Sequence, residues 1–153
     1  MELRINKETA KKLYPDVPEW FRQDLVKEFG KKTFQKRHFT DIKTLEDACE
    51  ELDIPTPYFN GTETRDEFVY RALKIVVKAI NQGWTPDWNN TDQRKWSPWF
   101  NLSSGFGFSY SYYSYDYTDA TVGSRLCFES EEKSNYSAKQ FIEMYKEFLT
   151  ITK

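Results

Sequence analysis

Residues 106–117, FGFSYSYYSYDY, set a ring at almost every second position, a spacing that suits only a β-strand, whose side chains alternate between two faces. Phe106, Phe108, Tyr110 and Tyr112 share one parity; Tyr113, Tyr115 and Tyr117 share the other. A slip of one residue turns every later side chain over, so Tyr112-Tyr113 predicts a bulge or a tight reversal. Thr118-Asp119-Ala120 then predicts a turn, and residues 122–128 a further strand. Upstream, residues 95–102 predict a strand that Pro98, lacking an N–H, confines to an edge or breaks. Consecutive strands on short connections pair antiparallel. The expectation is a three-stranded antiparallel meander.

The first 82 residues follow a different period. Residues 65–82 carry Val69, Ala72, Leu73, Val76, Ala79 and Ile80 at helical spacing, with Arg71, Lys74, Lys78 and Gln82 mostly opposite. Ile75 and Val77 widen the apolar arc, which predicts a central helix ended by Gly83. Leu3 and Ile5 suggest a short opening strand. Asn6 can cap a brief helix that Pro15 stops, and a second helix runs from Pro18 to Gly30 with Phe21, Leu25 and Phe29 as its buried stripe. A third begins near Thr44, turns Leu45, Ala48, Cys49 and Leu52 inward, and ends at Asp53-Ile54-Pro55-Thr56-Pro57. Ser137 is expected to cap a last helix whose apolar face is Phe141, Ile142, Tyr145, Phe148 and Leu149. The predicted fold is therefore α+β: a helical N-terminal half, the three-stranded meander, and a C-terminal helix packed on the sheet beside the long middle helix. A chain of 153 residues reads as one domain, with a helical portion over 1–40 and a main body over 43–151.

Apolar residues make up only 39%, yet five Trp, ten Tyr and twelve Phe supply large rings that can fill a core, so disorder is not expected. The net charge of −2 conceals polarity along the chain. Residues 1–40 hold ten cations against six anions, and residues 41–70 hold two against nine. Residues 71–100 hold five against two. The balance excludes a uniformly basic nucleic-acid coat. No apolar run approaches the ~20 residues of a membrane span, and no signal-peptide core is evident. A cytoplasmic location follows as the expectation, with Cys49 and Cys127 as reduced thiols and the four Asn-X-Ser/Thr triplets unmodified.

The search for catalytic motifs is negative for phosphate loops, dinucleotide loops, zinc-protease and serine-hydrolase signatures. His38 has no second His or nearby Cys, so no metal site, catalytic residue or cofactor is expected. Ser104-Gly105-Phe106-Gly107-Phe108 matches the centre of the RNA-recognition motif RNP1, but Ser104, Ser109 and Ser111 stand where that motif needs basic, aliphatic and aromatic residues. Residues 31–38, KKTFQKRH, interleave Phe34 with cations and are a possible phosphate contact. The richest segment is 83–100, GWTPDWNNTDQRKWSPWF. Its rings offer flat apolar area, and its amides and guanidinium offer directional bonds, the combination used to stack and orient bases. The candidate ligand-binding residues are Trp84, Trp88, Asn90, Arg94, Trp96, Trp99, Tyr110, Tyr112 and Arg125.

The stretches KTLEDACEELDI, GWTPDWNNTDQRKWSPWFNLSSGFGFS and VGSRLCFESEEKSNYSAKQFIEMYKEFLTI, together spanning about residues 43–151, resemble a family of small uncharacterised proteins from phages and mobile elements of gut bacteria. The resemblance implies a small protein made inside an infected or element-bearing cell, with no functional residues to carry over. The first expectation is a non-enzymatic accessory protein that binds single-stranded nucleic acid or a nucleotide. The alternative is a protein–protein component, either a virion part or an inhibitor of a host defence protein, in which case a homo-oligomer is one form it takes. A third is an unfamiliar enzyme acting on a nucleotide or glycan. No membrane partner is expected.

Overall fold

The computed structural model describes residues 5–35, 37–102, 109–117 and 124–150. The chain divides into two units, residues 1–37 and 38–153, each taken by itself below.

In the first unit Asn6 caps helix α1 (Lys7–Leu13), its Oδ1 accepting the Thr9 N–H at 2.8 Å. Arg22 of helix α2 (Glu19–Phe29) donates to the carbonyls of Tyr14 and Pro15 at 3.0 and 2.8 Å, which ties α2 to the turn after α1. Leu25 is buried, with Phe21 and Phe29 half-buried beside it, as the four-residue spacing requires. Gly30 ends α2 at φ 80°, a left-handed value that costs glycine little. In the basic segment after it, Lys31–Thr33 form a single 3-10 turn, and Phe34 stacks on Tyr14 with centroids 4.2 Å apart. Leu3, half of the expected opening strand, lies outside the described residues.

The second unit opens with helix α3 (Leu45–Leu52), capped reciprocally by Thr44 and Asp47. Helix α4 (Arg65–Asn81) follows, capped in the same way by Thr64 and Glu67. Its apolar arc is buried as the period predicts, and Val77 is buried with it. The main neighbours of α4 are α3 and, near the C-terminus, helix α6 (Ile142–Leu149), where Phe148 stacks on Tyr70 at 5.0 Å. Gln82 and Gly83, both at positive φ, turn the chain out of the helix.

The sheet differs from the expected meander. Among the described residues it has two antiparallel strands, β1 (Lys95–Asn101) and β2 (Ser109–Asp116). Residues 106–108 of the predicted strand, the turn at 118–120 and the start of the third strand lie outside the described residues. Where that third strand was expected to continue, Ser124–Leu126 form a 3-10 turn and only Phe128 joins the sheet. Phe128 and Trp96 exchange backbone hydrogen bonds at 2.7 and 3.0 Å. Leu126, Cys127 and Phe128 are buried in succession, and three consecutive inward side chains cannot be met by a strand with one buried face.

What holds this segment on its other side is a side chain. Asn81, buried at the end of α4, donates from Nδ2 to the Cys127 carbonyl at 2.9 Å and accepts the Glu129 N–H on Oδ1 at 3.2 Å. The amide thus completes for residues 127–129 the pairing that a neighbouring strand would supply.

The C-terminal region also departs from expectation. Helix α5 (Glu131–Gln140) begins at Ser130, whose Oγ accepts the Lys133 N–H, and α6 follows after a break at Phe141. Ser137 is not a cap. It is buried within α5, with its hydroxyl 3.1 Å from that of Tyr145. Helix α5 packs on both strands, so a C-terminal helix does lie on the sheet. The core is assembled from α4, the Phe39–Ile42 segment, Leu126, Phe128, Phe141 and Tyr145. Among the described residues no helix is long and apolar enough to cross a membrane.

Burial has a chemical consequence for the thiols. It pushes Cys127 up to about 11, so that thiol stays protonated in the folded chain well above the ordinary range, and it raises Cys49 as well. An aromatic disulfide reagent near neutral pH should therefore leave both unmodified until the chain is denatured, when two thiols per chain react. The folded state holds the Cys127 proton more tightly than the unfolded state. Stability is therefore complete below the ordinary thiol range and falls by up to about 1.4 kcal/mol per pH unit as pH climbs from there to about 11. The Tyr145 phenol, also raised by burial, adds to the loss at still higher pH. Urea titrations across this range, compared with Cys127→Ala, measure the thiol's share; a flat profile would contradict it.

Candidate ligand-binding surface

The connector after Gly83 is built by its own polar groups. Asp87 Oδ1 accepts the Asn89 N–H at 2.9 Å, and the Asp87 N–H donates to Gln93 Oε1 at 2.7 Å. Asn90 Oδ1 accepts from the Asp92 and Gln93 N–H groups at 2.9 and 3.2 Å. These are Asx-type turns, in which a short side chain substitutes for backbone. The Asn90 side-chain oxygen thus shapes its own loop, so Asn90 acts as scaffold where a ligand contact was expected.

Lys95 anchors the loop from beneath. Its side chain is buried, and Nζ donates to the carbonyls of Asn90 and Tyr117 at 3.0 and 2.5 Å while lying 5.4 Å from the centre of the Trp88 ring. A buried ammonium is tolerated where carbonyl dipoles and an aromatic face replace water. It joins the connector to the end of β2. Trp88 therefore serves as a wall for Lys95, and Trp84 is likewise half-buried.

The register of the hairpin decides which tyrosines meet which tryptophans. Residues 95–99 stand opposite 116–112 in order; Phe100 then stands opposite Tyr110 and Asn101 opposite Ser109, leaving Ser111 as the extra residue of a bulge. The bulge falls one position before the predicted one, and it cancels the parity break. Positions 110, 113 and 115 come to face 100, 98 and 96 in turn. Tyr110 and Tyr112 are placed by this backbone register. Tyr115, not selected as a site residue, lands against Trp96 with ring centroids 5.0 Å apart.

A cluster forms there. The Arg94 guanidinium lies 4.8 Å from the Tyr115 ring centre and 5.9 Å from that of Trp96, and its Nε donates to the Tyr117 hydroxyl at 3.2 Å. Tyr117 meets Tyr115 edge-on at 5.9 Å. Arg94, Tyr115 and Tyr117 are exposed, and Trp96 is half-buried beneath them. Stacking holds the guanidinium plane in place, and an exposed cation beside phenol rings can receive an anion and a flat group together.

Trp99 does not belong to this cluster. Three positions separate it from Trp96, so the two take opposite faces of β1. It is 52% exposed, near Leu102 at 54%. The tryptophans do not form one surface: Arg94 and Trp96 come together with Tyr115 and Tyr117, while Trp99 stands on the opposite face of β1. Arg125 is exposed in the 3-10 turn that leads to Phe128. Sequence reasoning also passed over Trp20, 66% exposed on α2, although it lies one residue off the Phe21–Leu25–Phe29 stripe and the helical wheel alone turns it outward.

The fold and surface define an α+β protein with an exposed arginine–tyrosine cluster on a bulged hairpin. Comparison with protein-family models, curated proteins and solved structures finds no match for the chain.

Proposed function

We propose that this chain is a non-enzymatic accessory protein of a phage or mobile element and that it binds single-stranded nucleic acid or a nucleotide on the Arg94 cluster. The observation that carries the reading is the Arg94 guanidinium stacked at 4.8 Å on exposed Tyr115 and bonded to exposed Tyr117. A base stacking on a phenol contributes about 1–3 kcal/mol without sequence preference, and the neighbouring cation answers the phosphate. The whole chain is slightly acidic and Lys95 is buried, so stacking on the rings beside the single exposed Arg94 carries the reading more than net charge does.

Trp96, in ring contact with Tyr115, is the natural reporter. Titration with an oligothymidylate or with ATP should change tryptophan emission, and Tyr115→Ala should weaken binding roughly tenfold or more. Raising salt from about 50 to about 200 mM should lower affinity with the shallow slope of one or two phosphate contacts. Unchanged emission with every oligonucleotide and nucleotide would remove the reading.

A protein partner, as in a virion part or an inhibitor of a host defence protein, is the second reading. It is favoured by Trp99, 52% exposed on the face of β1 opposite Trp96, since an exposed tryptophan is a common interface anchor. Trp99→Ala would then abolish association with the partner and leave nucleotide binding by the Arg94 cluster intact.

A further inference from the structure

Residues 53–59 take no part in the hairpin surface. Asp53 leaves α3 at φ 55°, and Ile54-Pro55-Thr56-Pro57-Tyr58-Phe59 then runs without secondary structure. The segment is nevertheless held at both ends. The Ile54 N–H donates to the Cys49 carbonyl at 3.0 Å. Phe59 meets the Phe68 ring edge-on at 5.8 Å, with the Arg65 guanidinium 5.2 Å from its own ring centre. Beyond it, Asn60 Oδ1 accepts the Thr62 N–H at 3.0 Å. Two prolines restrict the backbone further.

Despite this anchoring, Tyr58 is 77% exposed, Phe59 41% and Ile54 40%. Tyr58 stays largely uncovered and Ile54 and Phe59 keep a substantial exposed part, although the chain is held at Ile54 and Phe59. Large side chains held in place before binding lose little entropy when a partner covers them, the property of interface anchors.

Charge indicates the partner. Residues 41–70 hold nine anions against two cations, and Asp41, Glu46, Glu50, Asp53, Asp66 and Glu67 are exposed. One of the two cations, Arg65, is ion-paired with Glu147. Such a surround repels a phosphate polymer and attracts lysine and arginine. We infer that Ile54, Tyr58 and Phe59 anchor a basic protein segment that carries apolar side chains between its cations. The rings cover the apolar positions, and the carboxylates of α3 and of the first turn of α4 meet the charges. This site is separate from the Arg94 cluster and does not depend on its ligand.

Calorimetric titration of the full chain with a synthetic amphipathic peptide of repeating Lys-Leu-Leu tests the inference, with a Glu-Leu-Leu peptide of equal length as the control. The Lys peptide should bind, more weakly at high salt, and the Glu peptide should not. Tyr58→Ala, at a position too exposed to disturb folding, should weaken binding about tenfold or more, while Tyr115→Ala leaves it unchanged. Failure of the Lys peptide to bind, equal binding of the Glu peptide, or wild-type affinity in Tyr58→Ala would each overturn the inference. So would a dimer seen by light scattering and dissolved by Tyr58→Ala, since a second copy would then occupy the segment.

Discussion

Phe128→Ala should destabilise the 38–153 unit by about 3–5 kcal/mol, the range for removing a fully buried phenyl ring. Phe128 is completely buried in the core formed by α4, Leu126, Phe141 and Tyr145. It is also the residue whose backbone exchanges two hydrogen bonds with Trp96, so the cavity opens where the hairpin is joined to the helices. The effect should reach the surface: Trp96 would lose a packed neighbour, and emission of the folded variant should shift toward that of a more solvated indole. Urea unfolding followed by circular dichroism gives the stability. A loss below about 1 kcal/mol would mean that this segment is not part of the cooperative core.

Asn81→Leu should cost about 2–4 kcal/mol although leucine is close to asparagine in size and better suited to an apolar site. The substitution leaves the Cys127 carbonyl and the Glu129 N–H without the partner that Asn81 supplies at 2.9 and 3.2 Å. Desolvated backbone groups left unpaired cost far more than the net worth of a hydrogen bond, so the extra apolar contact does not compensate. Asn81→Ala should be at least as harmful, because it adds a cavity to the same loss. Amide exchange distinguishes this from general loosening: Glu129 should lose protection in Asn81→Leu even where amides of α4 retain it. A neutral Asn81→Leu variant would show that water satisfies both groups.

The parts of the fold that were legible are those set by local chemistry. Asn6 and Thr44 are short polar caps, Gly30 is a terminator, and α4 shows its buried face in its own spacing. The misread parts depend on partners distant in sequence. Ser137 has the chemistry of a cap, but its hydroxyl is taken by Tyr145 across the break between α5 and α6. The true start carried a readable sign in Ser130 followed by Glu131 and Glu132, acids suited to the first turn of a helix. The third strand is not confirmed: among the described residues Ser124–Leu126 form a 3-10 turn, and Phe128 joins β1 where a meander would pair it with β2.

The candidate surface was half legible for a related reason. Arg94 and Trp96 lie in a segment whose aromatic and polar mixture marks it. Which tyrosines join them depends on register: residues 113 and 115 pair with 98 and 96, and the one-residue bulge at Ser111 sets position 110, in place of 111, opposite Phe100. Lys95 could not be recognised as the anchor of the connector, because lysines are rarely buried and one of its two acceptors, the Tyr117 carbonyl, lies 22 residues away. The structure also keeps charge apart. The exposed arginine cluster belongs to a segment rich in cations, and the rings of residues 54–59 belong to the acidic stretch. Those two environments suit partners of opposite charge.

The central claim is that bases stack on the rings around Arg94. Photocrosslinking of a bromodeoxyuridine oligonucleotide to the full chain, followed by mass mapping of the adducts, tests it at the residues themselves. Adducts concentrated on Tyr115, Tyr117 and Trp96, and lost with excess unmodified oligonucleotide, are the predicted result. Adducts confined to other segments, or none above those on denatured chain, would contradict it.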